Sequence, residues 1–156
     1  MKKIFLLIIL AYLFGCSNST DSTSEPTVFM KKSTSSIPEE LVGVWATQAS
    51  EFANGTLVKG NSIYIESDGN GGTIDITSDG HILAMPFVIT SYNTKTNVFS
   101  MNVMVSSNNV KSVLISYDPS KRAIIPPNPS RSDELYLRRQ DKVTTKIKNM
   151  VSKYRY

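Results

Sequence analysis

From residue 41 onward, apolar and polar residues alternate along short stretches. Phe99, Met101, Val103 and Val105 alternate with Ser100 and Asn102, and Val113, Ile115 and Tyr117 alternate with Ser112 and Ser116. A period of two is that of a β-strand with one face buried and the other in water. The pattern predicts strands over 41–47, 57–66, 72–78, 81–92, 97–106, 110–117, 121–126 and 134–139. The breaks between them carry turn chemistry: Asp68-Gly69-Asn70-Gly71, Asp79-Gly80, Asn93 to Thr96, Ser107-Asn108-Asn109 and Asp118-Pro119-Ser120. Pro126-Pro127-Asn128-Pro129 is an extended break, because proline cannot donate to a ladder. Residues 49–56 read as a longer loop with a helical turn. The stretch 81–92 is apolar on both faces, so its outer side needs a cover.

Short connections pair each strand antiparallel with its sequence neighbour. The expected fold is therefore all-β: an up-and-down antiparallel barrel of about eight strands, with a sandwich as the less favoured arrangement. After the last strand the period changes. Val143, Ile147, Met150, Val151 and Tyr154 recur at helical spacing, which predicts a helix over 141–154 with Asp141 as its N-cap. Packed outside the barrel, that helix would supply the missing cover; lying on a membrane surface is the alternative.

The N-terminus has a different pattern. Lys2 and Lys3 precede an unbroken apolar run from Ile4 to Phe14, and Gly15-Cys16 follows. A basic start, a short apolar run and a small residue before the cut make a secretory signal over 1–15. The run is shorter than the roughly 20 residues that a membrane-spanning helix needs. Leu13-Phe14-Gly15-Cys16 resembles the lipobox of bacterial lipoproteins. The resemblance implies that Cys16 is acylated and begins the mature chain, held to a membrane by its lipid. Ser17 in the next position implies sorting to the periplasmic side of the outer membrane. Residues 16–37 are small and polar and form a flexible tether, with Val28-Phe29-Met30 as its only apolar interruption. Residues 38–156 form the folded domain.

Composition narrows the chemistry. Cys16 is the sole cysteine, so the chain has no internal disulfide, and lipidation would consume its only thiol. The formal charge is +4, of which Lys2 and Lys3 leave with the signal. The segment from Arg138 onward carries +6, and residues 17–137 carry −4. A basic tail on an exported chain favours an acidic partner, an anionic lipid surface or a solvated helix face over nucleic acid. His81, the only histidine, follows the Asp79-Gly80 turn and has no evident catalytic partner. No Cys/His cluster offers a zinc site. The Asp68 to Asp79 stretch has Thr73 where a calcium loop needs glycine, and it lacks the bidentate glutamate. No catalytic residue, metal or cofactor is expected.

Gly43-Val44-Trp45 opens the first strand, and the long loop, the meander and the terminal helix follow. This arrangement resembles the lipocalin family, and fatty-acid-binding proteins share part of it. The resemblance implies that Gly43 and Trp45 close the barrel floor and that an arginine of the last strand packs across the indole. Leu135 to Arg139 supplies two candidates, Arg139 and Arg138, with Arg139 favoured for its place at the strand's end. It also implies a small apolar ligand inside the barrel, lined by Ile74, Ile76, Met85, Phe87, Met101, Val103, Ile115 and Tyr117. Methionine-rich interiors adapt to varied ligands. The second expectation is a filled barrel that binds an envelope protein, as an inhibitor or immunity-type lipoprotein would, through loops such as 49–56 and 127–133.

Overall fold

The computed structural model describes residues 36–106, 109–127 and 135–152. Nine strands follow one another: β1 (Gly43–Ala46), β2 (Glu51–Ala53), β3 (Thr56–Ile65), β4 (Asn70–Ile76), β5 (Ile82–Asn93), β6 (Val98–Ser106), β7 (Asn109–Asp118), β8 (Ala123–Ile125) and β9 (Tyr136–Arg139). A single helix, α1 (Thr145–Ser152), ends the described chain, and a 3-10 turn at Glu39–Leu41 begins it.

Every ladder is antiparallel, and from β3 to β9 each strand pairs with its sequence neighbours. β1 lies between the two ends of that meander. Trp45 stands opposite Ile63 of β3 on one side and opposite Arg138 of β9 on the other. These two ladders close eight strands into a barrel, with β2 as an extra strand outside it. Closure leaves the eight barrel strands without a free edge, the usual point of unwanted pairing.

The expected loop over 49–56 is instead the β2–β3 hairpin. Its turn is Asn54-Gly55, with φ of 50° and 72°. An Asn-Gly pair with both residues left-handed is the turn whose twist suits a two-residue hairpin. The stretch before it has one large apolar residue, Phe52, and so shows no strand period.

Alternation around the barrel gathers one apolar interior. Leu41, Trp45, Ile63, Ile65, Met85, Phe87, Ile89, Phe99, Met101, Val103, Ile115, Tyr117, Ile124 and Tyr136 form a continuous buried cluster. A second cluster lies on the outer wall beneath α1. There Val143, Ile147 and Val151 meet Val44, Leu57, Tyr64, Ile74 and Ile76. Ile147 and Val151 are each 1% exposed, so each contributes about 1.5–3 kcal/mol by leaving water. The helix touches β4 and β5, and so covers part of the doubly apolar strand. Further along β5, Val88 packs outside with Met104 and Val110.

The helix is shorter at its start than its pattern predicts, and Asp141 does not cap it. The Ile147 amide donates to Thr144 Oγ1 at 3.3 Å, which makes Thr144 the cap. Asp141 instead accepts from Arg139 Nε at 3.0 Å, and the intervening chain pairs with the β2–β3 turn through Lys142 N–H to the Gly55 carbonyl at 2.7 Å. Tyr154, Val28-Phe29-Met30 and Cys16 lie outside the described residues.

Candidate functional site

Six of the eight expected lining residues meet inside the barrel: Met85, Phe87, Met101, Val103, Ile115 and Tyr117. Ile74 and Ile76 do not. They face outward and form part of the floor on which α1 rests. The phase of β4 was legible, but not which face was inside, because its outer face is also buried. Gly71 and Thr73 share the inner face of β4, and Asp75 follows them at the same period. Gly71 is required there, since a Cβ would come within 2.5 Å of the Phe87 ring.

The interior is filled. Trp45, Phe87 and Phe99 are 2% exposed or less, and Tyr117 stands edge-on to Trp45 with centroids 5.8 Å apart. Among the described residues, a cavity of about 30 Å³ inside the barrel is lined by Met85, Met101, Val103, Ile115, Tyr136 and Thr73, among others. That is about the volume of one water in the liquid, against roughly 300–1,000 Å³ for an organic-ligand pocket.

One polar group on the inner face of β4 was not anticipated. Asp75 stands opposite Asn61 of β3 and Leu83 of β5. Burial raises its carboxyl above the ordinary 3.8. Tyr136, inside the barrel, has its phenol pushed up by burial and then by the negative charge of Asp75. The alternation that turns Ile74 and Ile76 outward turns Asp75 inward, so the signal was present but tied to the wrong face.

At the opposite end the Gly-x-Trp segment meets the last strand. Trp45 is fully buried, and its Nε1–H donates to the Leu41 carbonyl at 2.9 Å. The arginine across its face is Arg138, with the guanidinium carbon 5.1 Å from the ring centroid. Arg139 points away and lies 4.7 Å over the Phe52 ring. Alternation decides this: Tyr136 is buried in the interior, so Arg138 shares its face, while Leu137 and Arg139 face out. Arg138 Nη1 donates to the Glu40 carbonyl at 2.7 Å. Gly43 has φ of +135°, and a Cβ on it would lie 2.9 Å from the guanidinium. Only glycine meets both conditions.

Arg138 also borders a surface groove of about 400 Å³ outside this end. Its walls are Gly43, Val44, Tyr64 and Ile65 from β1 and β3, and the β9–α1 connection. Sequence reading marked the basic tail but gave it no concave surface, since the recess depends on how α1 docks. Elsewhere, His81 is exposed and 3.5 Å from Asp79, and Asp68 accepts from Asn70 N–H in a side-chain-stabilised turn. Among the described residues, no three His, Cys, Asp or Glu side chains are placed to hold a metal ion.

No protein-family model matches the chain, and neither a curated protein nor a solved structure matches it.

Proposed function

We propose that this protein is a lipid-anchored module of the bacterial envelope that binds a partner protein through its outer surface. The barrel is its scaffold. The observation that carries the reading is the filled interior: about 30 Å³ among buried aromatic and aliphatic side chains has no room for an apolar ligand. The anchor rests on the apolar run ending at Gly15-Cys16. The likeness of Gly43, Trp45 and the last-strand arginine to the lipocalin pattern then bears on architecture rather than cargo.

Trp45 is the only tryptophan and stands inside the barrel, so its emission reports on interior occupancy. The detergent-extracted chain should show the mass of the acylated polypeptide alone in native mass spectrometry. Its Trp45 emission should not respond to added fatty acid, and cross-linking in intact cells should give one defined protein adduct. A reproducible small-molecule mass whose removal shifts Trp45 emission would refute the reading and restore the carrier. For the anchor, Cys16→Ser should leave the chain out of the detergent phase; unchanged partitioning would end that part of the proposal.

A further inference from the structure

Five cationic side chains border the groove outside the closed end: Arg122, Arg138, Arg139, Lys142 and Lys148. Two carboxylates, Glu66 and Asp141, also line it, so it carries a net charge of +3. The carboxylates are already engaged. Asp141 holds Arg139 at 3.0 Å, and Glu66 lies 3.6 Å from Lys148. Arg122, Arg138 and Lys142 have no carboxylate partner among the described residues.

These three come from two parts of the chain, the β7–β8 turn and the stretch from β9 to α1, which the β8–β9 pairing brings side by side. Arg122 sits in the β7–β8 turn, where φ of 48° and the bond from its N–H to the Pro119 carbonyl fix its backbone. Lys142 is held by its N–H on the Gly55 carbonyl. Arg138 is the most constrained, clamped between the Trp45 face and the Gly43 backbone with one N–H on the Glu40 carbonyl. A guanidinium has five N–H donors, so most of its capacity remains. Its ordering is already accomplished in folding, which leaves less entropy to lose on binding. Val44, Ile65 and Val143 form apolar walls beside the charges. Such walls lower the local dielectric and strengthen attraction for an anion relative to open water.

We propose that this groove binds a phosphate group. Two planar guanidinium forks and an ammonium around one recess match a tetrahedral oxyanion with several acceptor oxygens. The cations line one groove of about 400 Å³, a space that suits a single anionic head better than a polyanion. Two sources present that chemistry: a small soluble phosphate compound and the headgroup of an anionic phospholipid. The chain enters the barrel beside the groove, since Glu40 is the acceptor of Arg138, so any membrane anchor upstream would leave the domain at this same end.

The test uses the Cys16→Ser chain without its signal segment 1–15, so that neither an acyl group nor the basic apolar run contributes, with two probes in low salt. Inorganic phosphate and pyrophosphate are titrated by calorimetry, and flotation is measured with phosphatidylcholine vesicles with and without phosphatidic acid. Binding is expected to at least one probe. Arg122→Ala combined with Lys142→Ala should weaken it by about tenfold or more, because each removes a charged hydrogen-bond donor. Both residues are exposed and outside the core, so the melting temperature should hold. Binding of soluble phosphate alone assigns a small ligand, and flotation alone assigns a headgroup. The proposal is overturned if neither probe binds, or if Lys59→Ala with Lys95→Ala, equal in charge but outside the groove, weakens binding as much.

Discussion

The contact that closes the barrel can be measured directly. Trp45 and Arg138 come from the first and last strands, and two neighbouring arginines face different aromatic rings. Consider the cycle of Trp45→Leu and Arg138→Met, which removes the indole face and the charge while keeping apolar side chains. A cation over an aromatic ring is worth about 0.5–1 kcal/mol when exposed and about 2 when desolvated. Trp45 is fully buried and Arg138 half-buried, so the pair falls between these limits. Each partner also holds the same turn, Trp45 through the Leu41 carbonyl and Arg138 through the Glu40 carbonyl. Loss of one bond loosens the acceptor of the other. The expected coupling is therefore about 1–2 kcal/mol, above the roughly 0.3–0.5 kcal/mol error of additivity. Urea unfolding followed by far-ultraviolet circular dichroism is the assay, since the tryptophan signal is absent from half the variants. Arg139→Met is the internal control: its guanidinium lies over Phe52 instead, so it should add independently with Trp45→Leu. Coupling of Arg138 within the additivity error, or equal coupling of Arg139 to Trp45, would refute this account of closure.

Three further outcomes follow from the same geometry. Gly43→Ala should destabilise by about 2–4 kcal/mol, from backbone strain plus displacement of Arg138, and the cost should fall in an Arg138→Ala background; an equal cost in both would remove the steric argument. Ile147→Asp should destabilise by about 2–4 kcal/mol by placing an unpaired charge between α1 and the wall, whereas an unchanged melting temperature would mean the helix does not pack there. Asp75→Asn should stabilise at neutral pH, because the folded protein holds the Asp75 proton more tightly than the unfolded chain and so disfavours the carboxylate. That gain should shrink as pH falls through the raised folded value and vanish below 3.8, and a gain that grows on acidification would show the opposite shift.

Strand period, turn chemistry and the helical tail of this chain are local properties, and they were legible in order. A Gly-x-Trp at the start and two arginines at the end marked the ends that meet. The β2 strand was not legible, because one phenylalanine between small residues has no period and its pairing depends on β3. Nor was the capping residue of α1, because Asp141 is drawn into a pair with Arg139 that no helix rule foresees.

What the sequence determined by itself is the set of alternations: which residues share a face, where the chain turns and which segments are extended. What only the tertiary structure decided is the direction of those faces. β4 carries Gly71, Thr73 and Asp75 on one side and Gly72, Ile74 and Ile76 on the other, and apolarity points to the second as the inside. The barrel takes the first inside, because α1 buries Ile74 and Ile76 from without and Phe87 needs the space above Gly71. Burial is a property of what packs against a face, and the packing element here lies some seventy residues further along the chain. The choice between Arg138 and Arg139 has the same character. Alternation separated them, but only the inward position of Tyr136 on a closed wall gave Arg138 the indole and left Arg139 outside.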